Sequence, residues 1–438
     1  MSDDTQKDYV KWFRHSSPYI NAHRGKTFVV MLPGEALGHA NFSHIIQDLA
    51  LLASLGVRLV LVHGARPQID ARLNAGQLAT QFHQSLRITD DKSLSAVLQA
   101  IGEARITMEA ALSTGLPNSP MHGSRIEVVS GNFVSAMPHG VIDGVDLQHT
   151  GKVRRVNTQQ LVRSLDAGAI ALLSPLGYSA TGEVFNLTYA DVATHVASAL
   201  QADKLLAFCD ADGVYDQDGT LIRQFTLTQC QQHIEHKGSQ LSDLVGLALQ
   251  SAYLSCQQGV RRAQLVNFTQ DGALLGELFT RDGQGTMVYS GHYEQLRPAT
   301  IDDVGGILEL IAPLEDKGIL VRRSRERLET EINQFNVMEK DGTIIACASL
   351  HPYSEIAELA CVATHPDYRK GGRAQALLEQ LEQGAGKQGI RRLFVLTTQT
   401  AHWFLEQGFV PGQIDDLPIE KQSLYNLQRG SKIFFKDI

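Results

Sequence analysis

The chain has 438 residues, too many for one compact core, so two or three domains are expected. A hydrophobic content of 43% with 20% charged residues describes a globular protein, and a net charge of -8 argues against general nucleic-acid binding, though not against a local basic pocket. No apolar run approaches the roughly 18 residues that span a bilayer. The opening stretch MSDDTQKDYVKWF lacks the basic-then-apolar layout of a signal peptide, and cysteines 209, 230, 256, 347 and 361 show no paired spacing. These features describe a cytoplasmic enzyme with free buried thiols, without a disulfide frame or a metal site.

In chain order, short β-branched runs each lead through a turn into a helical stretch. The runs are TFVVML (27 to 32), VRLVLVHG (57 to 64), RIEVVSG (125 to 131), AIALLSP (169 to 175), KLLAFCD (204 to 210) and RAQLVNF (262 to 268). FSHIIQDLALLASLG and YADVATHVASALQA carry apolar residues at three- and four-residue spacing, as helices do. Strands alternating with helices predict a mainly parallel sheet sandwiched by helices, an α/β domain over residues 1 to 290. The helix from LTQCQQHIEHK carries His233 and His236 at i and i+3, but without a third ligand nearby a solvated face is the better reading and no metal is expected.

Between 288 and 295 the rhythm changes. QLRPATIDDVGGILELIAPL starts a new helix, and FNVMEKDGTIIACASL reads as two strands joined at Asp341-Gly342, a strong hairpin signal. A strand, a glycine-bearing loop and a helix follow in ELACVATHPDYRKGGRAQALLEQL, then the strand RRLFVLTT, a short helix AHWFLEQGF and the closing run SKIFF. Antiparallel strands with segregated helices predict an α+β domain over 295 to 438.

The loop Arg369-Lys370-Gly371-Gly372-Arg373-Ala374 fits R-x-x-G-x-A immediately before a helix. Successive backbone N–H groups at a helix N-terminus aim at one spot where the helix dipole is positive, and small residues let a pyrophosphate approach. Neither the dinucleotide pattern G-x-G-x-x-G nor the nucleotide P-loop fits.

This order of elements resembles the GNAT acetyltransferase superfamily over Gln295 to Ile438, with A-x-x-F-x-E-x-G-F at Ala401 to Phe409. The resemblance implies acetyl-CoA as cosubstrate, its pyrophosphate on the 369–374 loop. Its pantetheine arm is then expected on the backbone of Ala360, Cys361 and Val362. Residues 20 to 290 resemble the amino-acid kinase family, especially its acetylglutamate kinase branch, through KTFVVMLPGEAL, VLVHGARPQID, FNLTYADVATHVASALQADKLLAFCDADGVY and DGALLGELFTRDGQGTMV. The phosphate-binding lysine of those kinases is Met31 here, and the glycine pair is Pro33-Gly34. A methionine supplies no charge to a transferred phosphoryl group, so loss of kinase chemistry is expected, the fold persisting as a regulatory and assembly module.

The two folds in this order resemble one family, the bacterial N-acetylglutamate synthases of arginine biosynthesis. That resemblance implies L-glutamate as acceptor, feedback inhibition by L-arginine and a homo-oligomer, a ring-like hexamer. It implies Glu358, in E-L-A-C, as general base directly or through water, and Thr397 as proton donor to the departing thiolate, with Thr398 the neighbour able to substitute. Phe404 stands where many relatives carry a tyrosine and cannot donate a proton. Expected carboxylate contacts are Leu320 and Arg322, with Lys421, Arg429 and Ser431. Expected arginine contacts are Tyr19, Lys204, Glu277 and Gly283. Cys361 reads as a small buried thiol, since no histidine partner is assignable.

Overall fold

The computed structural model describes residues 3–115, 119–280, 283–290, 295–340, 343–369, 372–422 and 430–438; the side chains of 3–9, 11, 12, 239 and 367 are outside the description. The chain divides into two compact units, residues 1–291 and 292–438.

In the first unit all six strand-like runs enter one eight-stranded sheet. Its order is Gln224–Thr226, Met287–Tyr289, Arg262–Asn267, Lys204–Cys209, Thr27–Leu32, Arg58–His63, Ile170–Leu173 and Val128–Ser130. Every neighbouring pair is parallel except Arg262–Asn267 with Met287–Tyr289. Strand alternation divides the core cleanly. Val29, Met31, Val60, Val62, Leu205 and Ala207 face the helices Tyr189–Ala199 and Asp243–Gln257. Phe28, Val30, Leu32, Leu59, Leu61 and Leu206 face Phe42–Ser54 and Ala273–Phe279. Sheets buried on both faces read as continuous apolar runs, which is why these strands were visible in the sequence. Met31 is fully buried in the first of these layers, where a lysine would be uncompensated.

A second sheet of four strands, Val184–Asn186, Leu176–Tyr178, Val134–Pro138 and Gly151–Val156, was not expected. Its strands are three to six residues long, too short to carry a period of their own. The run 125 to 131 contributes only Val128–Ser130, at the edge of the large sheet.

The second unit is a seven-stranded sheet in the order Gln295–Pro298, Phe335–Lys340, Thr343–Tyr353, Ile356–Thr364, Arg392–Thr397, Lys432–Asp437 and Val410–Pro411. Phe335–Lys340 and Thr343–Tyr353 pair antiparallel, as the hairpin signal requires; the Asp341-Gly342 turn lies outside the described residues. Ile307 and Ile311 of the helix Val304–Asp316 pack on one face with Phe335 and Val337. Leu377, Leu378, Leu381 and Ala385 of the helix Arg373–Lys387 pack on the other with Ile345, Leu359 and Leu393. The first strand is pinned by Arg297, whose guanidinium bonds both oxygens of Asp303 at 2.7 and 2.8 Å and Glu339 at 2.6 Å.

One pairing shapes everything that follows. Ile356–Thr364 and Arg392–Thr397 are parallel neighbours, yet they pair only at Ile356↔Arg392, Ala357↔Leu393 and Glu358↔Phe394. Beyond Glu358 the two strands have no further paired residues. On the other side of Ile356–Thr364, Ser349 pairs with Ala360 but Cys347 pairs with Ala363, so the strand carries one residue more than its partner. That bulge holds Cys361 at φ +53, a left-handed conformation costly for a side chain with a Cβ. A bulge bends its strand and increases the twist, which matches the loss of pairing on the opposite edge.

Candidate active site

The cleft of the second unit lies where pairing stops. It holds about 200 Å3 and is lined by Glu358 to Val362 on one strand and Val395 to Thr397 on the other. Thr400, Phe404, Lys421, Ser431 and the segment Ile319, Leu320, Val321 and Arg323 complete the wall. Such a notch is available only because the strands of a parallel pair cease to exchange hydrogen bonds, leaving backbone N–H and C=O groups toward the opening.

Glu358 is 8% exposed, and Oε2 of its carboxylate accepts from Lys421 Nζ at 2.6 Å. A charge removed from water needs a partner, and Lys421 supplies it. His351 stands directly opposite Glu358 on the antiparallel strand Thr343–Tyr353. Burial pushes the His351 imidazole below its ordinary value; Glu358 and Glu331 oppose that shift, while Arg323 and Lys421 add to it.

Thr397 ends its strand across the cleft. Its hydroxyl shares a 2.8 Å hydrogen bond with the Thr400 hydroxyl and accepts the Thr400 backbone N–H at 3.1 Å. Thr398 is absent from the cleft lining, and its Oγ1 is buried without a hydrogen-bond partner among the described residues. Strand alternation thus leaves Thr397 facing the opening. Phe404 contributes an apolar wall.

Ala360, Cys361 and Val362 all line the cleft. Cys361 is 4% exposed, and its backbone carbonyl accepts from the Cys347 thiol at 3.6 Å. Further along, Gly372 (φ +71) caps the helix Arg373–Lys387, and no side chain among the described residues caps that end. A residue with a Cβ at that φ would be strained. Arg373 donates to the Tyr368 carbonyl at 3.1 Å and lies over the Tyr368 ring at 5.1 Å, while Arg369 is exposed. Arg369, Gly372, Arg373 and Ala374 lie outside the lining of the cleft itself. Lys370, Gly371 and Arg429 lie outside the described residues.

Of the expected carboxylate contacts, Leu320, Lys421 and Ser431 line the cleft. Arg322 does not; its side chain is 79% exposed and pairs with Asp316 at 3.1 Å. Its neighbour Arg323 lines the cleft instead, with a buried Nε that has no hydrogen-bond partner among the described residues. Sequence reading missed Arg323, Thr400 and His351. For Arg323 the adjacent arginine pair was the available signal, and for His351 its position in the strand facing Glu358.

In the first unit, the residues expected around an effector draw together at the end of the first helix. Glu277 is 7% exposed; its Oε2 accepts the backbone N–H groups of Gln284 at 2.5 Å and Gly285 at 2.7 Å, and Oε1 accepts from Gln264 at 2.7 Å. Gly283 takes φ +63, and a Cβ there would sit 2.6 to 3.0 Å from that carboxylate. Lys204 is buried with Nζ over the Phe28 ring at 5.6 Å. His23 packs on Phe28 and Phe279, and its Nε2 meets the Leu278 carbonyl at 2.9 Å. Tyr19, one turn earlier on the helix Asp3–His23, packs against the same core. His23 and Gln264 were not singled out from sequence.

His233 packs against Phe225 and His236 bonds the Gln232 carbonyl, and no cluster of three metal-ligating side chains occurs among the described residues. No described helix is long and apolar enough to cross a membrane.

A sheet opened between two parallel strands, with a glycine-led helix N-terminus after one of them, defines an acetyltransferase of the GNAT type, here preceded by an amino-acid-kinase-like fold. Residues 307–409 match the acetyltransferase (GNAT) family and residues 26–267 match the amino acid kinase family. The chain is 57% identical to the amino-acid acetyltransferase of Azotobacter vinelandii, over 98% of this chain and 99% of that one. It is 53% identical to the Pseudomonas aeruginosa amino-acid acetyltransferase, over 98% of this chain and 100% of that one. Among solved structures, N-acetylglutamate synthase from Neisseria gonorrhoeae complexed with coenzyme A and L-arginine matches with a TM-score of 0.87 and 37% identity, covering 98% of this chain and 99% of that one. The same enzyme complexed with coenzyme A and N-acetyl-glutamate matches with a TM-score of 0.62 and 38% identity over the same shares. The chain belongs to the amino-acid acetyltransferase family, and it is an enzyme that transfers an acetyl group to an amino acid.

Proposed function

We propose that the chain moves the acetyl group of acetyl-CoA to the α-amino group of L-glutamate, giving N-acetyl-L-glutamate and coenzyme A, the first step of arginine biosynthesis. The observation that carries this reading is the confrontation of Glu358 and Thr397 across one cleft, floored by the strand Ala360–Val362. An ammonium has no lone pair for a thioester, so a carboxylate must take a proton from it, directly or through water. Glu358 is held for that by Lys421 at 2.6 Å. Thr397, tied to Thr400, stands where a departing thiolate gains a hydrogen bond. The stretch Ala360, Cys361 and Val362, left unpaired by the strand Arg392–Thr397, suits a pantetheine amide chain added as a strand. Gly372, Arg373 and Ala374, with Arg369, Lys370 and Gly371 of the same loop, suit the pyrophosphate beyond it.

Glutamate carries two carboxylates and so needs two cations or donors. Lys421, Ser431 and Leu320 lie in the wall, and Arg429 precedes Ser431 in the chain. Arg322 joins them from the rim, since its exposed pair with Asp316 has little to hold it. Cys361 serves as a buried thiol in the bulge and not as a nucleophile.

The first unit we assign to regulation and assembly. Tyr19, Lys204, Glu277 and Gly283 form the L-arginine site, supported by Gly283 lying against Glu277, by Lys204 over the Phe28 ring on which His23 packs, and by the bound L-arginine of the Neisseria relative. Kinase chemistry is absent because Met31 is an apolar core residue. The protein works in the cytoplasm as a hexamer assembled through its kinase-like units. The test follows thiol release from acetyl-CoA across a panel of amino acids, with and without L-arginine. Turnover of glutamate that L-arginine lowers is expected; turnover of another amine but not glutamate overturns the assignment.

A further inference from the structure

Acetylation of an ammonium releases a proton that the cleft must dispose of. The N–C bond forms and the C–S bond breaks. The ammonium loses two protons; one ends on the sulfur of coenzyme A, and the other leaves for bulk water. The carboxylate that first takes that second proton is 8% exposed and occupied on one oxygen by Lys421. It needs an outlet on every turnover.

His351 has the position and the tautomer for one. Directly opposed residues of an antiparallel pair project from the same face, and His351 opposes Glu358. The Ser349 hydroxyl donates its single hydrogen to the Ala360 carbonyl at 3.2 Å. The 3.0 Å contact between Ser349 Oγ and His351 Nε2 is then a bond in which Nε2–H donates. That fixes the neutral ring with its lone pair on Nδ1, which has no hydrogen-bond partner among the described residues. The ring is half-buried and shares a sheet face with the enclosed carboxylate. The charged groups whose fields act on it are Glu358 on the neighbouring strand, Lys421 on the helix Ile419–Gln422, Arg323 before the helix Arg325–Glu331, and Glu331 at that helix's end. Glu331 Oε2 is buried without a hydrogen-bond partner among the described residues, whereas its Oε1 pairs with Arg327 at 2.8 Å, and Arg327 is exposed.

We propose that His351 is a proton-relay residue acting through Glu358: Nδ1 accepts the proton that Glu358 takes from the substrate ammonium and passes it outward past Glu331, returning Glu358 to its carboxylate form before the next turnover. Ser349 keeps the acceptor nitrogen bare. The relay rests on the assignment of Glu358 as base. Because the relay touches no reacting atom, its loss slows the cycle without weakening acetyl-CoA binding.

The test compares His351→Gln, Ser349→Ala and Glu358→Gln by stopped thiol-release assays over pH 6 to 9.5. His351→Gln should lower kcat about tenfold with the acetyl-CoA KM within twofold. Added imidazole should restore much of the loss in a concentration-dependent way, and the solvent deuterium isotope effect on kcat should rise. In the Glu358→Gln background, His351→Gln should cost nothing more. Unchanged kcat in His351→Gln, or a loss that imidazole does not rescue and that comes with a raised KM, overturns the relay. If His351→Gln does not fold, Ser349→Ala decides: a smaller kcat loss with an altered pH profile supports the relay, and wild-type kinetics overturns it. Full activity of Glu358→Gln would instead sink the base assignment, separately from the relay.

Discussion

Glu358→Gln separates chemistry from folding. Glutamine keeps the size of the side chain but cannot take a proton, and general-base catalysis contributes about 10²- to 10⁴-fold. At about 1.4 kcal/mol per tenfold, that is roughly 3 to 5 kcal/mol of the barrier. The structural cost is smaller. The Lys421–Glu358 pair, with side chains 21% and 10% exposed, falls between an exposed pair and a buried one. The amide oxygen still accepts from Lys421, so about 1 to 2 kcal/mol of stability is lost, roughly 3 to 8 °C in the melting of a unit of this size. Acetyl-CoA affinity should change less than about threefold, since the Ala360–Val362 edge and the Gly372 helix end do not involve the Glu358 side chain. The measurements are kcat by thiol release, Kd for acetyl-CoA by calorimetry, and a melting curve. A folded variant with kcat within threefold of the parent would refute the reasoning.

The two threonines should behave oppositely: Thr397→Val loses its bonds to Thr400 and should lower kcat about tenfold, whereas Thr398→Val deletes a buried hydroxyl without a partner and should leave kcat unchanged and Tm equal or higher. Gly283→Ala places a methyl against the Glu277 carboxylate in a left-handed conformation; calorimetry should show L-arginine binding weakened at least tenfold while uninhibited kcat stays within twofold. Asp48 is pushed up to about 7, first by burial and then by Asp271, against the opposing charge of His44. The unfolded chain releases this proton near pH 4 and the folded chain near 7, so this carboxyl makes the fold less stable as pH rises between those values. Asp48→Asn should raise Tm at pH 7.5 and flatten its decline from pH 4 to 7.

Six strands of the large sheet were legible because burial on both faces leaves an apolar run, as in Thr27–Leu32 and Lys204–Cys209, whereas the three-residue strands Gln224–Thr226 and Met287–Tyr289 were not read. The second sheet was not, because strands such as Leu176–Tyr178 and Val184–Asn186 are three residues long and their partners lie in other segments. Arg322 and Arg323 are adjacent arginines, and nothing local says which of them turns into the wall.

Composition, run lengths and the glycine loop before Arg373 determined by themselves that the chain makes an α/β unit followed by an α+β unit with a glycine-led helix, since each depends on neighbours in sequence. Glu358 and Thr397 were marked only through the resemblance to the synthases, since periodicity alone reads Glu358 as a strand-edge carboxylate. Only the tertiary structure decided that the strands bearing them part after Glu358, that Cys361 bulges at φ +53, that Lys421 neutralises Glu358, and that Ser349 holds His351 in one tautomer. Those facts depend on register and on contacts between distant segments. A one-residue change in pairing turns every side chain to the other face, and no local pattern encodes which register wins.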